Sequence, residues 1–480
     1  MTAIPGAYEL VQEQFRNAAA VDFSPWPVAI QSAPGRVDVL GGLAAEAGGM
    51  VAQMALPRRA AVGIQWRSDG ILSFHSRRIG TPAINRVRVP AHELFSEDQL
   101  PSPATLWARL PMETRWAAPL LALFYLLARD GRLPPRSGGS APPCGATVVI
   151  ESDIAIAAAQ ASSTAVATAL LQAIMHEVRF SIGTVEKAVL IHDAESLFGF
   201  SGGHVVDALT LLCALDGPPA HLLRYRAQPH ELLGQITLPP DVRIVALNTG
   251  IPATRGGETV RALRLAGAMG RRIIDVIYRD LGRRHAPLHG YLGNLSPGLY
   301  RRYFRALLPR RMRGNDFLRT YGEPIPTAGR IDPDRLYRVR TAVDHLISEH
   351  EHTENFLQAM EELTEDAAAI SAPQRHLILQ RAGRLMLASQ HSYRLRLGLS
   401  CPQADWLIDR LAGAGPERGV YGARITECGG GGTVVALLSS AGQATDVLLD
   451  IITEYPRVMN LPLETQMAGA RGCAGAQVAA

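Results

Sequence analysis

The stretch Ser32-Ala33-Pro34-Gly35-Arg36-Val37-Asp38-Val39-Leu40-Gly41-Gly42 constrains this chain more than any other. A Pro-Gly corner leads directly into a basic residue and an alternating apolar strand. A second glycine pair, Gly48-Gly49, then opens the apolar run from Met50 to Leu56. This order puts one guanidinium at the mouth of a sheet, where a planar cationic fork suits a phosphate.

Length and charge bound the rest. At 480 residues, 47% of them hydrophobic, the chain exceeds the size at which a single core keeps growing, so two domains are expected. Its 48 basic and 44 acidic residues nearly cancel, which gives no case for a nucleic-acid or membrane partner. Arginine pairs such as Arg271-Arg272 and Arg310-Arg311 read as solvated faces. Lys187 is the only lysine and has no glycine-rich loop beside it, which excludes a Walker-type phosphate site. Cys144, Cys213, Cys401, Cys428 and Cys473 are odd in number and form no CxxC pair. Neither a disulfide framework nor a structural zinc is indicated, and a reducing, cytoplasmic setting is expected. The longest apolar run, Pro119 to Ala128, is too short to span a bilayer, and no targeting signal is visible.

Amphipathic spacing predicts a helix over Tyr8 to Ala20, and alternation from Ala60 to Val89 predicts antiparallel strands broken at Asp69-Gly70. Trp107 to Ala128 is apolar at helical spacing. A Pro/Gly/Ser-rich loop, Gly131 to Cys144, enters the β-branched strand Thr147-Val148-Val149-Ile150, which ends at Glu151. Residues 152–166 follow, with small residues, the hydroxyl cluster Ser162-Ser163-Thr164 and a helix running to about Met175. Strand, loop, hydroxyls and helix start is the order that aims backbone N–H groups at a phosphate and offers oxygen to a magnesium ion. The same pattern also describes an alanine-rich buried helix with a Ser/Thr cap. Glu195 and Asp207 flank a glycine-containing loop between two helices, so the two carboxylates could face one cavity, one toward a metal and one as a base. Finally, Gly429-Gly430-Gly431-Gly432 between apolar strands demands close approach of backbone to a ligand or to another strand.

Taken as an ordered set, Ala33-Pro34-Gly35-Arg36, the hydroxyl-rich helix start and the late glycine turn resemble the three motifs of the GHMP kinases, the galactokinase-like family. Asp38, Gly42 and Gln53-Met54 are more similar to its arabinokinase branch. The stretch from Glu195 to Asp207 lies on the family's Glu…Gly-x-Met-Asp segment without a gap, with His204 and Val206 at its Gly and Met. The resemblance covers roughly residues 30 to 440. It implies a two-domain α+β fold with a ribosomal-protein-S5-like N-terminal domain (1–230), a ferredoxin-like C-terminal domain (231–465) and a tail (466–480). It also implies ATP and Mg²⁺ as cofactors and a sugar and a nucleotide as partners. In this reading Asp207 acts on the sugar C1 hydroxyl, and Arg36 stabilises that Asp and the transferring phosphoryl group. Ser163, or Ser162 beside it, and Glu195 hold the metal, and the nucleotide lies along Ala159, Ala161, Ser162, Ser163 and Thr164. The substrate meets Arg36, Asp38, Gly42, Glu46, Gly203, Asp207, Gly429 and Gly430.

The departures from the family bear on function. Ala155, Ala157 and Ala159 stand where the family's Pro-x-Gly-x-Gly falls, and holding alanine in the left-handed region costs about 1–2 kcal/mol per residue. Such a loop should bind nucleotide weakly or in a changed geometry. The family's sugar-binding Asp falls on Ala45, beside Glu46, and its pocket Tyr near Val260. Glu427 and Cys428 replace two glycines of the last motif, and a buried acid beside phosphates repels them unless it binds metal or faces away. The sequence therefore leaves two main readings. One is an ATP-dependent kinase making a sugar 1-phosphate, arabinose- or galactose-like. The other is a catalytically impaired relative that keeps the fold for ligand binding or regulation. A family enzyme acting on a non-sugar alcohol is a third.

Overall fold

The computed structural model describes residues 6–16, 27–77, 84–91, 102–133, 145–198, 204–216, 221–228, 230–253, 257–280, 288, 290–323, 329–365, 370–440 and 442–468. The opening motif forms β1 (Val28–Leu40), which pairs antiparallel along its length with β2 (Met50–Arg67). The ladder shifts register between Pro34 and Arg36. Proline has no N–H to donate, so the break falls where the sequence cannot continue the ladder. At Gly35 a Cβ would lie 3.0 Å from the Gln160 carbonyl oxygen. The Pro-Gly corner thus serves a close approach, and Arg36 N–H donates to that carbonyl at 3.1 Å.

Around this hairpin stand β3 (Ile71–Arg77), β4 (Ile84–Pro90), β5 (Gly145–Ser152), β6 (His221–Arg226) and β7 (Glu231–Thr237), in the order β4-β3-β5-β2-β6-β7 with β1 on β2. The break expected at Asp69-Gly70 is present, and β2, β3 and β4 alternate in direction as expected, but β2 and β3 are not neighbours. β5 lies between β2 and β3, antiparallel to the first and parallel to the second. The turn passes the start of β5 at Gly145, where a Cβ would sit 2.4 Å from the Ile71 carbonyl oxygen. A local turn signal says nothing about a strand that arrives seventy residues later to separate its two arms.

One face of this sheet receives α1 (Ala7–Arg16), whose Val11 and Phe15 pack on Ala61 and Val149. The expected extension of that helix to Ala20 lies outside the described residues. The opposite face is covered by α2 (Ala118–Arg129), α3 (Ser162–Val178), α4 (Thr184–Ser196) and α5 (Val205–Asp216), which form one core with Val62, Ile64, Phe74 and Val148.

The second half is built on β8 (Val242–Asn248), a two-stranded ribbon of β9 (Met312–Arg313) and β10 (Leu336–Tyr337), and the strands β11 (Val420–Ile425), β12 (Thr433–Ser439) and β13 (Glu464–Met467). Its main sheet runs β11-β12-β8-β13, all antiparallel. The helices α6 (Glu258–Asp280), α7 (Val339–Glu365), α8 (Ala372–His391), α9 (Pro402–Ala414) and α10 (Gly442–Met459) pack with it. The first sheet runs seven residues beyond residue 230, because β7 pairs with β6 to Thr237, and the second sheet starts at Val242.

The two halves share apolar core. Val37, Val39 and Met54 of the β1–β2 hairpin are buried against Ile244, Phe356 and Met386, and each such side chain contributes about 1.5–3 kcal/mol. That contact brings β1 and the β11–β12 turn to one place. Among the described residues no helix is long and apolar enough to cross a membrane.

Candidate active site

β1 delivers Arg36 and the first turn of α5 delivers Asp207, residues far apart in sequence. The guanidinium grips the carboxylate with both arms, Nε to Oδ1 at 2.9 Å and Nη2 to Oδ2 at 2.8 Å, and both side chains are fully buried. Asp207 Oδ1 also accepts from Gln53 Nε2 at 2.8 Å, and Oδ2 accepts from the His204 backbone N–H at 2.9 Å. Thr210, one helical turn along α5, donates to Gln53 Oε1 at 2.6 Å and so fixes the amide's orientation. A carboxylate held by three residues has one orientation. Gln53 and Thr210 were given no role by the sequence. Asp38 and Gln53 are opposite one another in the β1–β2 ladder, and a polar pair inside an otherwise apolar hairpin was the available signal.

Arg36 has further partners. Its Nη1 donates to the Ala159 carbonyl at 3.0 Å, and its Nη2 forms an ion pair with Glu427, which is itself buried. Glu427 is held by its backbone. Its N–H donates to Asp38 Oδ2 at 3.2 Å, its carbonyl accepts from Tyr393 Oη, and its φ is +51°.

The loop before α3 keeps a glycine-like shape without glycine. Ala157, Ala159 and Ala161 have φ of 56°, 60° and 59°. The second half props the loop in place. Thr433 Oγ1 donates to the Ala158 carbonyl at 2.7 Å, Ala253 N–H to Ala157 at 2.7 Å, and Gln160 bonds both Thr433 and Gln466. A Cβ on Gly432 would lie 2.9 Å from the Ala158 carbonyl oxygen, so this glycine permits the contact between the two loops. Gly429 serves packing of another kind, since a Cβ there would lie 2.1 Å from the Leu399 carbonyl oxygen, and Gly430 N–H donates to that same oxygen.

At the start of α3, no side chain caps the helix, Ser163 is exposed and Ser162 half-buried. Thr164, the next residue, is buried and donates to Glu195, with 3.2 and 3.1 Å to the two carboxylate oxygens. The hydroxyl bonded to Glu195 is therefore that of Thr164, while Ser163 faces outward at the helix end.

Asp38 and Gly42, expected to meet substrate, are engaged by protein. Asp38 Oδ2 accepts from Gly42 N–H at 3.0 Å and faces Arg424 Nη1 at 3.4 Å. Burial raises its pKa to about 6 against the opposing pull of Arg424 and Arg36. A Cβ on Gly42 would lie 2.1 Å from Tyr393 Oη. Arg424 is an arginine in a fully buried apolar strand, and such a residue must find carboxylates. It finds Asp38 and Glu349, the latter at 3.3 Å.

Glu46 is reached from another direction. Arg264 of α6 bonds it, Nε to Oε1 at 2.6 Å, and the His204 ring lies 3.7 Å away. Burial works to lower the Arg264 pKa, and Glu46 together with Cys428 more than offsets it. Both members of the pair keep about a quarter of their side-chain surface exposed. Ala45, Glu46, His192, His204 and Gln228 line a cleft of about 120 Å³. Arg264 was not singled out by the sequence, since nothing local links it to Glu46. Gly203 lies outside the described residues.

The chain matches no family model. It is 25% identical to an L-arabinokinase of Arabidopsis thaliana across 89% of this chain, and it spans only 44% of that protein. It is 24% identical to a galactokinase of Streptomyces coelicolor (strain ATCC BAA-471 / A3(2) / M145), over 90% of this chain and 89% of that one. Its fold matches Lactococcus lactis galactokinase, solved in complex with galactose, with a TM-score of 0.66 and 16% identity, over 96% of this chain and 99% of that one. The chain is thus similar in sequence to arabinokinase and galactokinases. Its mixed α+β fold is galactokinase-like. The alanine loop, Glu427 on Arg36 and the Arg264–Glu46 pair lie together at this site.

Proposed function

We propose that the chain is an ATP-dependent sugar kinase that phosphorylates the anomeric hydroxyl of a monosaccharide, arabinose- or galactose-like, to a sugar 1-phosphate. The observation that carries this reading is the buried two-armed pair of Arg36 and Asp207 beside the uncapped start of α3. Asp207 takes the proton of the acceptor hydroxyl, the freed oxygen attacks the terminal phosphorus of ATP, and ADP leaves. Arg36 orients Asp207 and lies where charge on the transferred group is met. The exposed first turn of α3, with Ser162 and Ser163, faces the nucleotide phosphates. Glu46 and Arg264 together accept and donate hydrogen bonds, which suits neighbouring hydroxyls of a sugar.

Among the described residues no cluster of three or more His, Cys, Asp or Glu could hold a metal. In this reading Glu195 would hold Mg²⁺ with the Ser163 hydroxyl at the helix end, an ion that takes one or two protein oxygens and completes its shell with phosphates and water. When bound, the ion neutralises phosphate charge. Among the described residues Cys213, Cys401 and Cys428 form no disulfide, in keeping with a reducing cytoplasm.

One observation favours the second reading, a relative that binds ligand without turnover: the Glu427 carboxylate lies on Arg36, beside the position a phosphoryl group would take. Titration with Mg·ATP separates the two readings. At a hundred times its dissociation constant it should add about 2.7 kcal/mol of stability, and no shift at millimolar ATP would sink the kinase. If ATP binds, ADP release is measured across a panel of free sugars including arabinose and galactose. Asp207→Ala should then cut turnover by about 10³ while leaving the nucleotide dissociation constant nearly unchanged.

A further inference from the structure

A cavity of about 440 Å³ lies between α7, α8 and the turn at residues 392–397. Its size is that of a small-metabolite pocket. Its polar lining is His345, Ser348, Glu349, His352, Ser392 and Arg396, with His391 also present. Three facts about this lining point to a ligand.

The first is an orphaned donor. His345 is 2% exposed; its Nδ1 lies 2.9 Å from Ser392 Oγ, and its Nε2 has no hydrogen-bond partner. Burial lowers its pKa to about 4, so the ring is neutral at neutral pH. With the Ser392 hydroxyl donating to Nδ1, the proton sits on Nε2. A buried N–H left unmade costs about 1–3 kcal/mol, which a ligand oxygen would recover. His352 repeats the pattern, with Nδ1 buried and unpartnered. The second fact is a free charge. Arg396 is exposed at this cavity, has no carboxylate partner among the described residues, and its field bears on both His345 and His352. The third concerns the acid in the wall. Glu349 would repel an anion, but its Oε1 is already met by Arg424 Nη2 at 3.3 Å, Ser389 Oγ at 2.9 Å and Gly41 N–H at 3.4 Å. Burial works to raise the Glu349 pKa, and Arg424 with His345 and Ser389 more than offsets it. Two histidine nitrogens and the Arg396 charge are thus left over, while one oxygen of Glu349 is already engaged.

We propose that this cavity is a binding site for a small oxyanion, a phosphate- or carboxylate-bearing metabolite, held by His345, His352 and Arg396. It is separate from the cleft at Glu46. Its walls nonetheless reach the buried cluster next to the active site: Glu349 touches Arg424, which faces Asp38, and the His345 ring stands edge-on to Tyr393 at 5.0 Å, whose hydroxyl bonds Glu427.

The test is calorimetric titration of the full chain with inorganic phosphate and, separately, with citrate. The variants are the double substitution His352→Gln/Arg396→Gln and, as an active-site control, Arg36→Lys. Saturable binding of either anion is expected, weakened about tenfold or more in the double variant and retained in Arg36→Lys. Response to phosphate alone assigns a phosphate ligand, and response to citrate alone a carboxylate. Binding that survives the double variant but is lost in Arg36→Lys would place the anion in the active site and overturn the proposal. So would the absence of saturable binding of both anions to a folded wild-type protein. Neither result depends on whether the chain turns over a sugar.

Discussion

Arg36 and Arg424 both sit in strands, both are fully buried and both face two carboxylates, yet their geometry differs. Arg36 grips Asp207 at 2.8–2.9 Å with two arms, one hydrogen bond and one ion-pair contact, and also holds the Ala159 carbonyl at 3.0 Å. Arg424 meets Asp38 and Glu349 at 3.3–3.4 Å, one contact each, and lies over the Tyr393 ring at 5.1 Å. The first arrangement fixes the direction of one carboxylate. The second balances charge between β1 of the first sheet and α7 and β11 of the second half. A buried arginine can therefore be an orienting device or a charge balance, and the number and length of its contacts tell which.

The largest expected effect tests the charge balance. Arg424→Leu leaves Asp38 and Glu349 buried without their counter-charge, and breaking such a set costs about 3–5 kcal/mol. Urea unfolding should report a loss of that size. A variant as stable as wild type would mean that the Arg424 contacts offset only their own desolvation.

The second test is a pH dependence. The Asp38 pKa is raised by burial from 3.8 to about 6. A raised folded-state pKa gives stability that is full below the unfolded value and is lost as pH rises through the folded one. Between pH 4 and 7 wild type should therefore lose roughly 2 kcal/mol relative to Asp38→Asn. Glu349 has the opposite sign: its pKa is lowered, so its contribution is lost as pH falls below the ordinary carboxylate range. Parallel pH profiles for wild type and Asp38→Asn would remove Asp38 from the balance.

The orienting arginine was legible in the sequence and the balancing one was not. Pro34-Gly35-Arg36 announces a ladder break, a close approach and a charge at one spot, and all three occur there. The helices on either side of Asp207 could also be read, because their apolar periodicity is local. Arg424 sits in Val420-Tyr421-Gly422-Ala423-Arg424-Ile425, which reads as an apolar strand, and its partners lie 75 residues or more away. The pairing of Glu46 with Arg264, the support of Gln53 by Thr210 and the insertion of β5 between β2 and β3 share that cause. Each is fixed by tertiary packing with no periodic or turn signal of its own. The fold class followed from motif order, while the substrate-facing polar groups followed from contacts the order does not specify.

A third test asks what Glu427 does to the orienting arginine. Glu427→Gln keeps its size and removes its charge next to the position proposed for the transferred phosphoryl group. Relief of that repulsion should tighten Mg·ATP about tenfold, or 1.4 kcal/mol. Weaker binding instead would mean that the carboxylate supplies a metal ligand and not an obstacle.

The smallest effect concerns the loop that Arg36 holds. Ala157 and Ala159 take the left-handed backbone, with φ of 56° and 60°, that residues 429–432 take with glycine at 71°, 77°, 142° and 79°. Glycine at either alanine position would remove about 1–2 kcal/mol of strain. It would also enlarge the unfolded ensemble, which takes back about 0.4–1 kcal/mol. The net gain for Ala157→Gly or Ala159→Gly is about 0.5–1 kcal/mol, seen as a raised unfolding midpoint. The reverse change, Gly432→Ala, should destabilise by more, because its Cβ would meet the Ala158 carbonyl oxygen at 2.9 Å in addition to the strain. If the two alanine-to-glycine variants are instead destabilising, the contacts from Thr433, Ala253 and Arg36 already hold the loop so firmly that left-handed alanine carries little cost. The shape of this loop would then be imposed by its neighbours and not by its own residues.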